Sequence, residues 1–267
     1  MNVIEDVFGV RIPVIGVVHL KALPGAPLYQ DESVADIAAI AVEHARAMVD
    51  NGVNGLIVEN FGDVMFQKRV GPEVTAAITF IGSEIARAVD VPMGFCVLQS
   101  DAIASLAIAK ALDSAFVRVP YYTETSIVDA GMMDSIAAEA LRYRKNIGCS
   151  AKIFADVHIK HSYPLAQRPI ELAAEDCWHR GLADAVIITG LKTGGATDPE
   201  DVKRVRRALP DLPLLVGSGV TEENVSDYID YVDGIIIASS LNIDGKVENG
   251  PDPARIEKFV KTLEQYR

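Results

Sequence analysis

The stretch KIFADVHIKH, residues 152–161, carries an unusual density of side chains that can exchange protons or attract an anion. Its first half is apolar enough for a buried strand, and strand alternation places Lys152, Asp156 and His158 on the face that also carries the phenylalanine. A buried carboxylate is costly unless a cation pairs with it, and Lys152 or Arg118 could do so. The pattern is therefore typical of either a structural ion pair or a catalytic group.

In the catalytic interpretation, Asp156 is a general base or a metal ligand, and His158 is its acid/base partner or a further ligand. Lys152 would stabilise developing charge. Lys160 and His161 come after the predicted strand, so we expect them in a loop where they attract an anion. The interpretation predicts acid/base chemistry at the end of this strand.

Two more groups of this kind end earlier apolar runs: His19 in VVHLKALPG and Glu59 in VENFGD. We expect both to assist Asp156 in catalysis. The same side chains could together coordinate a divalent metal, but no metal-binding motif such as HExxH accompanies them. The cofactor therefore stays unassigned, with a divalent metal as an open alternative.

Small residues cluster in VGSGVTEEN (216–224) and IIIASSLN (235–242), where backbone N–H groups can approach an anion closely. A third segment, TGLKTGGATDPED (189–201), could lie over the bound anion as a mobile loop. These segments predict a site for a phosphate or a carboxylate, although the glycines could instead form only tight turns. The predicted binding residues are Gly217, Ser218, Gly219, Ser239, Ser240, Lys192, Thr193 and Gly194, with Asn60 and Arg118 from other strand ends.

Eight short apolar runs, each followed by a helical pattern, must position these side chains. Runs without polar alternation are typical of parallel strands buried on both faces. The order predicts a (β/α)8 TIM barrel as a single domain over residues 1–267, and a doubly wound sheet is the alternative. In the barrel, active sites lie at the C-terminal ends of the strands, and the loops after strands seven and eight commonly hold phosphate. The runs are 12–18, 55–60, 93–99, 115–120, 151–158, 184–190, 213–219 and 234–240, and the segment after the seventh is predicted helical over 221–229.

The composition excludes several classes of function. The chain has 267 residues, 49% of them hydrophobic, and a net charge of -12, so it can bury a large core and lacks the basic surface needed for nucleic-acid binding. No apolar run approaches the length of a membrane span, and the acidic N-terminus is unlike a signal peptide. Three scattered cysteines fit reduced thiols. We expect a cytoplasmic protein, which could form homo-oligomers as barrels of this kind often do.

The sequence resembles the BtpA family along nearly its whole length. The stretches that carry the resemblance are IGVVHLKALPGAPLY, ENFGDVMFQKRVGPE, LRYRKNIG, KIFADVHIKH, VIITGLKTGGATD and LVGSGVTEENV. The resemblance implies a ribulose-phosphate-binding type of barrel. It also implies two different functions, since the family is named for photosystem I biogenesis, while members resemble proteins encoded beside sugar-phosphate genes.

Two hypotheses about function follow. In the first, the chain is an enzyme that binds a phosphorylated sugar or nucleoside-like metabolite and acts as a lyase, an isomerase or a hydrolase of glycosidic bonds. In the second, it is a non-catalytic assembly factor for a membrane complex, as the family resemblance implies. The second predicts an exposed apolar patch or peripheral membrane association.

Overall fold

Eight parallel strands close into a barrel in a computed structural model of the chain, which describes residues 2–166, 168–190, 195–217 and 219–266. Each strand pairs with the next along the chain, and the last pairs with the first, so the predicted TIM barrel is confirmed. The strands are β1 Val14–His19, β2 Gly55–Glu59, β3 Met93–Cys96, β4 Phe116–Val119, β5 Lys152–Val157, β6 Ala185–Thr189, β7 Leu214–Gly217 and β8 Gly234–Ile237.

Helices surround the barrel and connect most consecutive strands. Capping side chains begin several of them: Ser33, Asp101 and Asp198 each accept a hydrogen bond from a backbone N–H of the first turn. α6 continues into a π-helical turn, Asp176–Arg180. The helices are α1 Val3–Phe8, α2 Val34–Val49, α3 Pro72–Ala88, α4 Ala102–Ala111, α5 Ala137–Asn146, α6 Ile170–Glu175, α7 Pro199–Ala208 and α8 Pro253–Glu264.

The helix predicted over 221–229 is replaced by a single 3₁₀ turn, Val225–Asp227. The side chain of Asn224 accepts a hydrogen bond from the backbone N–H of Thr221 and donates one to the carbonyl oxygen of Gly219. Such local bonds compete with helical backbone bonds, which explains why the segment stays short. The segment after β8 contains three 3₁₀ turns, Ser239–Leu241, Ile243–Gly245 and Val247–Asn249.

The N-terminal end of the barrel is filled with apolar side chains. α1 lies across this end and inserts Phe8, whose ring centroid is 5.5 Å from that of Phe116 and 6.4 Å from that of Phe154. The rings of Phe116 and Phe154 stack at 4.7 Å inside the barrel. Polar interior side chains occur only on the C-terminal side of this layer. The N-terminal end of the barrel interior is therefore apolar and the C-terminal end is polar.

A small antiparallel sheet covers part of the C-terminal rim and is called the rim sheet here. It consists of Ser126–Val128, Gly131–Met133 and Tyr163–Pro164. One face packs on Tyr121 and Ile159, and the other leaves Ile127, Met132 and Tyr163 exposed. In the described ranges, no helix combines the length and apolar character that a membrane crossing needs.

Candidate active site

A buried ion pair between β4 and β5 forms the centre of the C-terminal end. The Nε and Nη2 atoms of Arg118 donate to the two carboxylate oxygens of Asp156 at 3.0 and 2.8 Å. Both residues are almost fully buried. Burial lowers the pKa of Arg118, but the charge and hydrogen bonds of Asp156 outweigh it and leave that pKa above its ordinary value. Since both oxygens of Asp156 are occupied, this carboxylate positions the guanidinium.

His19 and Glu59 end β1 and β2 beside this pair. Glu59 lies 3.9 Å from Nη1 of Arg118 and 3.8 Å from Nε2 of His19, and the His19 ring lies against Phe61 at 4.6 Å. Burial, helped by Lys160 and Arg118, lowers the pKa of His19 to about 4 against the opposing effect of Glu59. His19 is therefore neutral near pH 7 and can accept or donate a proton.

Lys160 reaches the same interior space, although sequence reasoning placed it in the loop beyond the rim. β5 ends at Val157, and His158 adopts a left-handed backbone with φ of 48°, so the chain turns and returns towards the barrel axis. The backbone N–H of Lys160 donates to Oγ1 of Thr189 at 3.0 Å, which anchors this return to β6. Burial and the nearby Arg118 lower the pKa of the Lys160 amine, while Glu59 opposes them.

The predicted interior position of His158 is wrong. Its backbone N–H donates to Oε2 of Glu124 at 2.9 Å, and its Nε2 lies 3.3 Å from Oε1 of the same carboxylate. The pKa of His158 is raised because of Glu124. The left-handed residue breaks the strand alternation on which the prediction rested.

The predicted position of Lys152 at the site is also wrong. Lys152 is the first residue of β5, at the opposite end of the barrel from Asp156. Its amine lies 3.7 Å from Oδ1 of Asp184, and its side chain is 43% exposed. A strand that alternates correctly still spans the whole barrel, so a shared face does not bring its two ends together.

Two adjoining cavities open at this end of the barrel. The inner cavity brings two of the predicted catalytic residues, His19 and Glu59, together with four of the predicted binding residues. It is lined by Val17, His19, Glu59, Arg118, Lys160, Gly219, Ile236, Ala238, Ser239 and Ser240. The outer cavity has a volume of about 680 Å³ and shares Glu59, Arg118 and Lys160 with the inner one. It is further lined by Phe61, Val64, Phe66, Cys96, Leu98, Gln99, Pro120, Tyr121, Asp129, Ile159, His161, Ser162 and Tyr163.

Glycines allow the backbone at the inner cavity to pack closely. Gly219 has φ of +65°, and a Cβ atom there would lie 2.5 Å from the backbone of Gly195 and of Ala196. Gly217 ends β7, and its carbonyl oxygen accepts a hydrogen bond from the Thr197 hydroxyl at 3.0 Å. The loop after β6 is therefore packed closely against the end of β7 and the loop that follows it. The predicted residues Lys192, Thr193, Gly194 and Ser218 lie outside the described residues.

Asn60 has a different place from the one predicted. Its Nδ2 donates to Asp63 at 2.9 Å, and its Oδ1 accepts from the backbone N–H of Leu98 at 2.7 Å. Asp63 in turn accepts from the N–H of Leu23 at 2.7 Å. Because both ends of its amide are bonded to protein atoms, Asn60 ties the loops after β1, β2 and β3 together.

The outer cavity contains polar groups that are not among the predicted site residues. Tyr121 is almost fully buried, and burial followed by the charge of Asp156 raises the pKa of its hydroxyl. Gln99 donates to Asp129 at 3.2 Å, but its Oε1 is buried without a hydrogen-bond partner. Burial also raises the pKa of the Cys96 thiol well above its usual value. From the sequence alone, the adjacent Tyr121 and Tyr122 cannot be told apart. In the structure Tyr121 lines the outer cavity, whereas the hydroxyl of Tyr122 donates to the carbonyl oxygen of Gly181.

Across the described ranges, no group of three or more His, Cys, Asp or Glu side chains is arranged to hold a metal ion.

Comparison with known protein families identifies the family of this chain: the match to the BtpA family extends over residues 10–265. The chain belongs to the BtpA family. This BtpA-family chain is 42% identical over 249 residues to a protein of Archaeoglobus fulgidus, with coverage of 93% of this chain and 97% of the other.

The similarity of this BtpA-family chain extends to a cyanobacterial protein and to a solved barrel. The chain is 38% identical over 257 residues to the photosystem I biogenesis protein BtpA of Synechocystis, with coverage of 96% and 89%. Its fold is similar to that of N-(5'-phosphoribosyl)anthranilate isomerase from Pyrococcus furiosus, with a TM-score of 0.58, 14% identity and coverage of 95% and 99%. At that identity, the likeness concerns the fold alone.

Proposed function

We propose that this chain is an enzyme that binds a phosphorylated sugar or nucleoside-like metabolite at the C-terminal end of its barrel and converts it by acid/base chemistry. One observation carries the proposal. The inner cavity joins two cationic side chains, Arg118 and Lys160, to the small residues Gly219, Ser239 and Ser240. These two cations lie together in a chain whose net charge is -12, with the carboxylate of Glu59 on the wall of the same cavity.

The inner cavity suits a phosphate group for two reasons. Arg118 is held in place by Asp156, so its charge is fixed before any ligand arrives, and Lys160 adds a second positive charge. The loops after β7 and β8, which supply the small residues, commonly hold phosphate in this fold. A phosphorylated ligand would therefore place its phosphate between these cations and Gly219.

The outer cavity would hold the rest of the ligand. Its volume of about 680 Å³ falls within the usual range for small-molecule sites, and its walls are largely apolar and aromatic. Neutral His19 and the adjacent Glu59 lie beside the junction of the two cavities and can move a proton to or from the ligand. This arrangement fits a lyase, an isomerase or a hydrolase, and the similar barrel from Pyrococcus furiosus is named for an isomerase of a phosphoribosyl compound.

Calorimetric titration with inorganic phosphate and a panel of sugar phosphates tests the proposal. Ser239→Leu places an apolar side chain in the inner cavity, and we expect it to weaken phosphate affinity at least tenfold. Ser226→Leu is the matched control, because Ser226 is exposed in the turn after β7. Equal phosphate affinity in the parent and both variants would remove the phosphate proposal.

A second candidate function is docking of this chain to a membrane complex without catalysis. It is favoured by the exposed apolar row Met132, Ile127 and Tyr163 on the rim sheet, and by the name of the Synechocystis relative. Co-sedimentation with membranes at moderate salt tests it. Binding that survives Ser239→Leu and is lost in Ile127→Ser would support docking, and absence of the parent from the membrane fraction would exclude it.

A further inference from the structure

We propose that Lys160 is a nucleophile that forms an imine with a carbonyl group of the bound ligand. The inference rests on the proposed function, and it narrows the substrate class to a phosphorylated aldehyde or ketone. Lys160 lines both cavities, so its amine lies where the phosphate-binding end meets the space for the carbon skeleton. A carbonyl carbon a few atoms from the phosphate would come within its reach.

Lys160 differs from the other lysines of the described residues. Five of those form an ion pair with a carboxylate, and the rest are exposed on the surface. Three lysines in that set are partly buried, Lys152, Lys160 and Lys203, and of these Lys160 alone has no carboxylate oxygen within 4.0 Å of its amine. Both oxygens of the nearby Asp156 carboxylate already accept hydrogen bonds from the guanidinium of Arg118. An amine so placed is not committed to a structural ion pair.

The surroundings lower the pKa of the Lys160 amine, so the unprotonated form, which attacks a carbonyl, is more accessible than in an exposed lysine. Burial and the fixed guanidinium of Arg118 both disfavour a second positive charge at this point. Glu59 and Asp156 oppose that effect, but Arg118 partly neutralises both of them. The ionisable groups that face Lys160 from the packed elements are Arg118, Glu59, Asp156, Cys96, His19 and His161.

The step balances without any further reactant. The lone pair of Nζ adds to the carbonyl carbon, a C–N bond forms, and the C=O π electrons move to oxygen, which takes up a proton. Loss of this oxygen as water leaves a protonated imine, so the ammonium form and the carbonyl compound together yield the iminium and one water. Neutral His19 lies on the same cavity and can carry the proton from nitrogen to oxygen. The iminium then draws electrons from an adjacent C–H or C–C bond, which gives an enamine and releases a proton or a carbonyl fragment. The enamine takes up a proton at carbon, and hydrolysis of the resulting iminium by one water releases the product and restores the amine.

Reductive trapping tests the inference with pyridoxal 5'-phosphate, which carries an aldehyde, a phosphate and an aromatic ring. The probe is added at low concentration, the adduct is reduced with borohydride, and labelled peptides are located by mass spectrometry. We expect labelling of Lys160 at least tenfold faster than that of the exposed Lys110 and Lys145. Excess inorganic phosphate should suppress it, and pyridoxal without the phosphate should label more slowly.

Two variants distinguish a nucleophilic role of Lys160 from a role in anion binding alone. Lys160→Arg keeps the positive charge but cannot form an imine, so we expect phosphate affinity within about threefold of the parent and no rapid adduct. Lys152→Arg is the matched control at the opposite end of β5, and this variant should be labelled at Lys160 as the parent is. Phosphate binding without preferential labelling of Lys160 overturns this inference alone. Labelling of Lys160 that phosphate does not suppress supports the amine chemistry and contradicts the phosphate proposal. Absence of both phosphate binding and preferential labelling overturns both the inference and the proposed function.

Discussion

At the scale of single residues, the pair Arg118–Asp156 determines what its neighbours can do. It places one fixed positive charge in the barrel interior, where water no longer screens it. That charge helps to keep His19 neutral and lowers the pKa of Lys160. Sequence alternation correctly indicated an ion pair at Asp156 and named Arg118 as one of two partners. It could not choose between them, because Lys152 shares the strand face but lies a barrel length away.

We expect Asp156→Ala to lower the free energy of unfolding by about 3–5 kcal/mol, since it leaves the guanidinium of Arg118 buried without a counter-charge. Lys152→Ala removes an exposed ion pair on the same strand and should cost at most about 1 kcal/mol. Urea unfolding of both variants measures the difference. Similar losses in the two would show that the buried pair does not organise the site.

The stability of the fold should depend on the protonation of His19 in acid. Its pKa is about 4 in the folded chain against 6.5 in the unfolded one, so between these values the unfolded chain binds more protons and stability falls as the pH is lowered. The full loss corresponds to roughly 3 kcal/mol.

We expect the difference in unfolding free energy between the parent and His19→Gln to be constant above pH 7 and to decrease from pH 6.5 towards 4. Subtracting the variant also cancels His158, whose raised pKa has the opposite effect: its stabilisation is lost as the pH rises above 6.5. Urea unfolding across the pH range supplies the data. A difference that does not change with pH would contradict a buried, neutral His19.

At the scale of elements, the rim of the barrel departs from what local sequence patterns predict. The strand alternation of β5 fails at His158, where a left-handed residue turns the chain and brings Lys160 back inside. His161 is also left-handed, so two such residues shape one short loop. Histidine is not a strong signal for this conformation, unlike glycine, and the turn depends on bonds to Glu124 and Thr189 that are distant in sequence.

The loops after β6 and β7 should be sensitive to any side chain at Gly219. We expect Gly219→Ala to lower the free energy of unfolding by more than Gly148→Ala does. Gly148→Ala introduces only the strain of a left-handed backbone, about 1–2 kcal/mol. Gly148 has φ of +60° and nothing within 4 Å of an added Cβ, whereas the Cβ at Gly219 meets backbone at 2.5 Å.

Gly219→Ala should in addition weaken phosphate binding, because it pushes the loop of Gly195 and Ala196 away from the inner cavity. Thermal unfolding and phosphate titration of the two variants test this. Equal stability and equal phosphate affinity in both would indicate that the close approach is unimportant.

At the scale of the whole molecule, the apolar layer around Phe8 and the candidate site lie at opposite ends of the barrel. The repeated strand and helix patterns predicted this architecture well, because burial on both faces of eight runs leaves a distinct sequence pattern. The grouping of His19, Glu59 and Arg118 near Gly219, Ser239 and Ser240 follows from the architecture, since all of them end strands or begin the loops after them. The aromatic wall of the outer cavity could not be predicted, since it comes from loops whose conformations depend on tertiary contacts.

Phe8→Ala should therefore destabilise the fold without affecting ligand binding. Phe8 packs on Phe116 and Phe154 at the N-terminal end, and its truncation should cost about 3–5 kcal/mol. Phe80→Ala is the control, because Phe80 is 45% exposed and its loss should change stability by about 0.5 kcal/mol or less. Phosphate affinity of the folded variants, measured by calorimetry, should equal that of the parent. A lower affinity in Phe8→Ala alone would contradict the separation of the two ends.

The most direct test of the central claim is a crystal structure of the chain soaked with inorganic phosphate. We expect electron density for the ion in the inner cavity, between Gly219 and the Ser239–Ser240 segment and within reach of Arg118 and Lys160. Density at this place in the parent, and its loss in Ser239→Leu, would support a phosphorylated substrate. An inner cavity that holds only water at saturating phosphate would contradict the account.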